Sequence, residues 1–495
     1  MNFQLSLSRV FFPFSLLLLL ASCTKDKGTP DYAGYPDEVG KIIMTKCATA
    51  GCHNDISKNA AAGLSLEGWD KLFEGGRNSA AVVPFSHEYS TLFLYTNTYS
   101  DLGQSLLPTM PYGKAPLSKE EVQILKDWID AGAPDRNGFV KYSDNPYRKK
   151  IYVANQGCDV VTVIDNESLM PMRYISVGKL TSSIDAPHMI KVSPDGNYWY
   201  TTFIAHTSGT SLIQKFRTSD DSHVGDITIP AGSWNTFTFT PDSKKAFIVD
   251  WSANGKIAYV NLETMALIDT WQGSGLYLEP HGSAMGPNGD SLYVTAQNGN
   301  CIYKISPLDP ISPRLVSMDP SAAADPGSAT LKIHELAFSP DGSKYIVTCQ
   351  GTDDIRIVQT SNDSVLAIIP VPASSLPSEI AFSESSNYVF VTCAEDVTTF
   401  PGKRGSVAII DYTINSLVKF VNPGFQPHGI AVHESEGIVA VANRNVTTSG
   451  PAPHHSNSCG GRNGYITYIS LSTLEMAPGK QLEVSVDPYS IAVRK

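Results

Sequence analysis

Two thiols and an imidazole fall within one short run, Cys47-Ala48-Thr49-Ala50-Gly51-Cys52-His53. That constellation suits covalent haem attachment: two thioether bonds fix a porphyrin, and a histidine beside the second cysteine is then held where its ring nitrogen reaches the iron. The usual spacing has two residues between the cysteines, whereas this run has four. A Cys47–Cys52 disulfide in an oxidising compartment is the bland alternative. Further on, Leu107-Pro108-Thr109-Met110-Pro111-Tyr112-Gly113 presents one methionine on a stiff, helix-free loop. A thioether as sixth ligand stabilises ferrous iron and raises the reduction potential, which suits an electron carrier. His87, the only other histidine between residues 37 and 135, is the rival for that position.

The elements around these residues have a helical pattern. The apolar stretch Ile42-Ile43-Met44 leads directly into Cys47. Ser118-Lys119-Glu120-Glu121 reads as a capping box, followed by Val122, Leu125, Trp128 and Ile129 at helical spacing until Gly132 and Pro134 stop the helix. With Gly63-Leu64-Ser65-Leu66 and Ala81-Val82-Val83-Pro84, these segments resemble the small all-α cytochrome c domains of bacterial envelope proteins, and the four-residue cysteine spacing resembles haem sites of some multihaem cytochromes. The resemblance covers nearly all of residues 37–135. It implies haem c bound covalently by Cys47 and Cys52, with His53 as proximal and Met110 as distal iron ligand, and a redox partner protein.

Downstream of residue 150 one phrase recurs seven times at a period of about 50 residues, the range of propellers and solenoids. Its openings read Pro187-His188-Met189, Trp234-Asn235-Thr236, Pro280-His281-Gly282, Ile333-His334-Glu335, Ser378-Glu379-Ile380, Pro427-His428-Gly429 and Pro488-Tyr489-Ser490. Each repeat reads as four short strands, joined after the first by turns such as Ser193-Pro194-Asp195-Gly196 and Ser339-Pro340-Asp341-Gly342. Residues 488–495 hold only a first strand and residues 150–177 only the other three, so the two ends should complete one blade and close the ring. Residues 150–495 are therefore expected to form an all-β seven-bladed propeller, joined to the helical domain by a linker at 136–149. Tyr152-Val153-Ala154-Asn155 resembles the signature of the YVTN propeller family, a match informative about fold rather than activity.

That topology puts the start of each first strand and the loop between second and third strands on one face. His188, His281, His334 and His428 should ring the central channel there, with His206, His454 and His455 in loops of the same face. Glu379, Asn235 and Tyr489 take the remaining three equivalent places, while His223 and His433 fall on the opposite face. Converging imidazoles suit copper or another transition metal, and a polar water-filled channel is the plain alternative. Cys158, Cys301, Cys349, Cys393 and Cys459 are all expected near this face, as soft ligands, as one disulfide with spares, or as small buried residues.

At the N-terminus, Arg9, an apolar run from Val10 to Leu20 and Leu20-Ala21-Ser22-Cys23 resemble a lipoprotein signal, with residues 1–22 removed, Cys23 lipidated and 23–36 a flexible tether. This implies a bacterial cell-envelope protein anchored to a membrane, periplasmic or at the surface. With 37 basic and 48 acidic side chains, the formal charge of −11 argues against nucleic acid as a partner. Two functions follow. One is a redox enzyme in which a small substrate reacts at a metal or cofactor on the propeller and electrons pass through the haem. The other is an electron-transfer module whose propeller is a docking platform. The plan resembles haem-d-type nitrite reductase, which has eight blades, and nitrous-oxide reductase, whose cupredoxin domain is not found in this sequence.

Overall fold

The structure, a computed structural model, describes residues 31–206, 208–446 and 464–495. Residues 1–22, expected to be a signal segment, and Cys23, His454, His455 and Cys459 lie outside the described residues. Between residues 37 and 135 every regular element is helical: α1 (Asp37–Ile42) running into a π-helical turn (Ile43–Cys47), α2 (Trp69–Glu74), a 3-10 turn (His87–Tyr89), α3 (Thr91–Thr96) and α4 (Lys119–Asp130). The capping box forms: Glu121 N–H donates to Ser118 Oγ, and Ser118 N–H donates to the Glu121 carboxylate at 2.8 Å. Val122, Leu125, Trp128 and Ile129 are all buried. Trp128 meets Tyr35 edge to face at 6.2 Å, and Lys46 ties the π-helical turn to Glu121 of α4.

From residue 150 the chain forms seven four-stranded antiparallel sheets. Blade 1 combines Lys150–Asn155, Val160–Asp165 and Pro171–Ser176 with the last strand, Pro488–Arg494, which pairs with Lys150–Asn155. The ring thus closes by joining the two ends of the repeat region. The innermost strands of blades 2 to 7 are Pro187–Val192, Trp234–Phe239, Pro280–Met285, Ile333–Phe338, Pro377–Phe382 and Phe425–His433. Middle strands are packed on both faces and read as unbroken apolar runs, as in Val160–Asp165, every residue of which is buried. Outermost strands such as Ala266–Trp271 are largely exposed. The Ser-Pro-Asp-Gly turns work through Ser193 Oγ, which donates to Asp195 and accepts from Tyr198 N–H, while Gly196 takes a φ of 73°.

The helical segment lies against the outer strands of blades 1 and 7. Tyr89 stacks on Tyr174 at 3.9 Å, Arg173 sits over the Phe85 ring, and Glu483 N–H donates to the Asn78 carbonyl at 2.8 Å. Residues 136–149 are fixed rather than loose: Tyr142 is buried, Arg148 pairs with Asp144 and Asp165, and Arg494 donates to the Pro146 and Arg148 carbonyls.

The seam between blades 1 and 2 contains a buried ion pair. Lys150 Nζ donates to Asp221 at 2.7 Å and to the Thr218 carbonyl, with Tyr152 Oη donating to the same carboxylate. Both charged side chains are about 2 % exposed, so removing one strands the other without water. Asp221→Ala should cost about 3 kcal/mol or more, whereas Lys150→Met with Asp221→Leu should recover most of it. Urea unfolding checks this, and a single-variant loss below about 1 kcal/mol would contradict it.

Candidate functional site

Cys47, His53 and Met110 line one cavity of about 380 Å³ with a largely apolar wall. The chain brings them there by local bonds. His53 N–H donates to the Cys47 carbonyl at 3.1 Å and closes the cysteine loop, and Leu66 N–H donates to the His53 carbonyl. Opposite, Met110 N–H donates to the Tyr95 carbonyl at 2.8 Å and pins the methionine loop to α3. His53 Nδ1 is buried without a partner, and burial holds the ring below its usual basicity. Cys47 and Cys52 are free rather than bridged; burial first, and Cys52 second, push the Cys47 thiol up to about 12. His87 is turned away from this cavity, with Nδ1 on Asp130 at 2.7 Å. Of the two rivals for the distal position, only Met110 lines the cavity. Arg77 and Glu483, the latter from the outermost strand of blade 7, complete its rim.

In the channel the four histidines form a ring. His281 and His334 lie 4.0 Å apart between centroids, His334 and His428 6.1 Å, His428 and Tyr489 3.8 Å, and Tyr489 and His188 4.2 Å. Asn235, from the blade between His188 and His281, has both side-chain polar atoms buried without partners. Burial lowers all four imidazoles, His281 to about 4 and His428 to about 3, with His188 and His334 well below the usual value and further depressed by their neighbours. They are neutral and offer lone pairs at any physiological pH.

The place of Glu379 is corrected. Pro377 pairs with Cys393 as Ile333 pairs with Cys349, so Ser378, not Glu379, is the equivalent of His334. Glu379 stands one residue deeper, in register with Glu335. The small Ser378 leaves a gap in the ring, and Glu379 reaches it: donor atoms of His334, Glu379 and His428 all lie within 4.8 Å of one another. Beneath the ring the channel widens into a cavity of about 580 Å³ that Lys191, Glu335 and Glu379 line. Burial raises Glu335 to about 8, helped by the Glu379 charge and opposed by Lys191, and raises Glu379 to about 7. Burial lowers Lys191 against the pull of both carboxylates.

Among the described residues, the loop histidine expected on this face does not join: His206 is buried there but hydrogen-bonds the Asp185 carboxylate. His223, expected on the opposite face, pairs with Asp226. Cys158 is disulfide-bonded, while Cys301, Cys349 and Cys393 are free and buried; burial pushes the Cys301 and Cys393 thiols up to about 12. Sequence reasoning missed Gln156 and Gln297, whose amides hold His188 Nδ1 at 2.7 Å and His334 Nδ1 at 3.2 Å. Their signal was present: glutamine follows the second strand in three repeats, as Gln156, Gln297 and Gln350.

No family model and no curated protein matches the chain. Among solved structures, a functionally unknown protein from Desulfotomaculum acetoxidans is similar at 15 % identity and a TM-score of 0.49, over 70 % of this chain and 98 % of that one. Hydrazine synthase from Kuenenia stuttgartiensis is similar at 12 % identity and a TM-score of 0.46, over 65 % of this chain and 93 % of that one. The propeller itself rests on its seven four-stranded sheets.

Glu335 gives a pH test. Burial raises its folded carboxyl from the ordinary 4.5 to about 8, so the folded state binds the extra proton between those values. Stability should therefore fall as pH rises through that window. Glu335→Gln, still facing Lys191 and Glu379, should flatten the decline in thermal midpoint between about pH 5 and 8. Parallel curves for the two proteins would contradict the assignment.

Proposed function

We propose that the protein is a c-type cytochrome of the bacterial cell envelope that transfers electrons between a partner protein and a redox site in the propeller channel. The observation that carries this reading is that Cys47, His53 and Met110 line one and the same largely apolar cavity. These donors suit haem c: the Cys47 thiol for attachment, a neutral imidazole with an unpartnered buried nitrogen, and a thioether; Cys52, the second attachment thiol, is part-exposed outside the lining. Bound there, haem would supply reversible one-electron chemistry at a potential raised by the methionine. The chain's own residues would exclude water through Leu64, Leu66 and Leu92, and Arg77 places a positive charge at the cavity wall.

The position of the cavity supports coupling to the channel. Glu483 belongs to the outermost strand of the blade whose innermost strand carries His428. Three strand spacings separate them, about 14 Å of continuous hydrogen-bonded sheet. Membrane anchoring through Cys23 and a YVTN-type origin for the propeller belong to the same proposal, resting on the sequence signals.

Protein produced with cytochrome maturation should retain haem through acid-acetone extraction, at about one per chain. Cys47→Ala with Cys52→Ala should release it. Met110→Ala should keep the haem but lower its reduction potential, while His87→Ala should leave the potential unchanged. Colourless wild-type protein, or a potential that follows His87 instead, would overturn the assignment.

A further inference from the structure

Each channel histidine has one ring nitrogen engaged behind it. His428 Nδ1 is 3.1 Å from the Tyr489 carbonyl and His281 Nδ1 is 3.0 Å from the His334 carbonyl. A carbonyl only accepts, so both Nδ1 atoms carry the hydrogen and both Nε2 atoms present lone pairs. His334 Nδ1 faces Gln297, whose Oε1 has no other partner. Turning that amide lets Oε1 accept from Nδ1–H, which leaves His334 Nε2, buried and unpartnered as it stands, as a third lone pair. Second-row bonds of this kind are what orient metal-ligating histidines and fix their tautomer.

We propose that His334, Glu379 and His428 hold one divalent first-row transition metal ion inside the propeller, with coordination positions left open to a small ligand. The inference deepens the reading of the channel as a redox site and rests on it. Two imidazoles and one carboxylate are the donor set of open catalytic zinc and non-haem iron(II) sites. The carboxylate moves the expectation away from copper, and none of the free cysteines joins the group. Metal–ligand bonds of about 2.1 Å put adjacent donors about 3 Å apart, so donors already within 4.8 Å of one another close on an ion through side-chain adjustment alone. The gap at Ser378 is what allows a carboxylate from the layer below to complete the set. The cavity beneath, which Glu379 lines, supplies room for the ligand.

The test uses full-length holoprotein stripped with a chelator, loaded with Zn(II), freed of excess ion and assayed for zinc and haem in the same sample. Wild type should hold about one zinc per chain, and Glu379→Gln and His428→Ala at least about tenfold less, with haem unchanged. His206→Gln, a histidine of the same face outside the group, should load like wild type. Zinc should also raise the unfolding temperature of wild type but not of the near-isosteric Glu379→Gln, which decides the matter if His428→Ala does not fold. Wild type without zinc, or variants that load like wild type, would overturn the site. Zinc without haem would leave the site standing and remove the electron-carrier reading; haem without zinc would do the reverse.

Discussion

The channel depends on a break in the ladder of each innermost strand. At the opening phrase the register slips, as between Pro280 and Ser283, Ile333 and Leu336, and Pro427 and Ile430, which leaves backbone groups that must find partners elsewhere. In blades 2, 4, 5 and 6 a threonine on the second strand supplies one. Thr295 Oγ1 accepts from Gly282 N–H and donates to the His334 carbonyl of the next blade, and Thr348 does the same for Glu335 and Ser378. One hydroxyl thus satisfies the bulge and stitches neighbouring blades at the very residue that points a side chain into the ring. Blades approach so closely there that a Cβ at Gly282 would sit 2.5 Å from Glu335 Oε1, which accounts for the glycine after the histidine.

That constraint separates two environments within one molecule. At the axis, side chains converge in a polar ring fixed by backbone bonds, with neutral imidazoles above and a carboxylate–lysine cluster below. At the rim, the helical segment encloses an apolar cavity against the outer strand of blade 7. The same blade reaches both. Burial does most of the electrostatic work in each: it keeps the imidazoles unprotonated at the axis and the Cys47 thiol protonated at the rim.

Blade number, seam and turns were legible because they follow from local pattern: a phrase recurring about every 50 residues, short apolar strands, Ser-Pro-Asp-Gly turns and a split repeat at the two ends. The histidine ring was legible because topology assigns the face. The misplaced residue was in blade 6, where the anchoring histidine is replaced by Ser378 and the next glutamate was read in its place; only strand pairing reveals the offset. The meeting of His334, Glu379 and His428 depends on that small serine and on distances between blades, neither of which spacing along the chain encodes. That Met110 and not His87 lines the cavity depends on contacts between distant segments, such as the bond of Asp130 to His87.

The most direct test of the account is diffraction at the iron absorption edge from crystals of the matured protein. An anomalous peak is expected between His53 and Met110, in the cavity that Glu483 of blade 7 helps to line. An iron peak beside His87, or none within the helical segment, would contradict it.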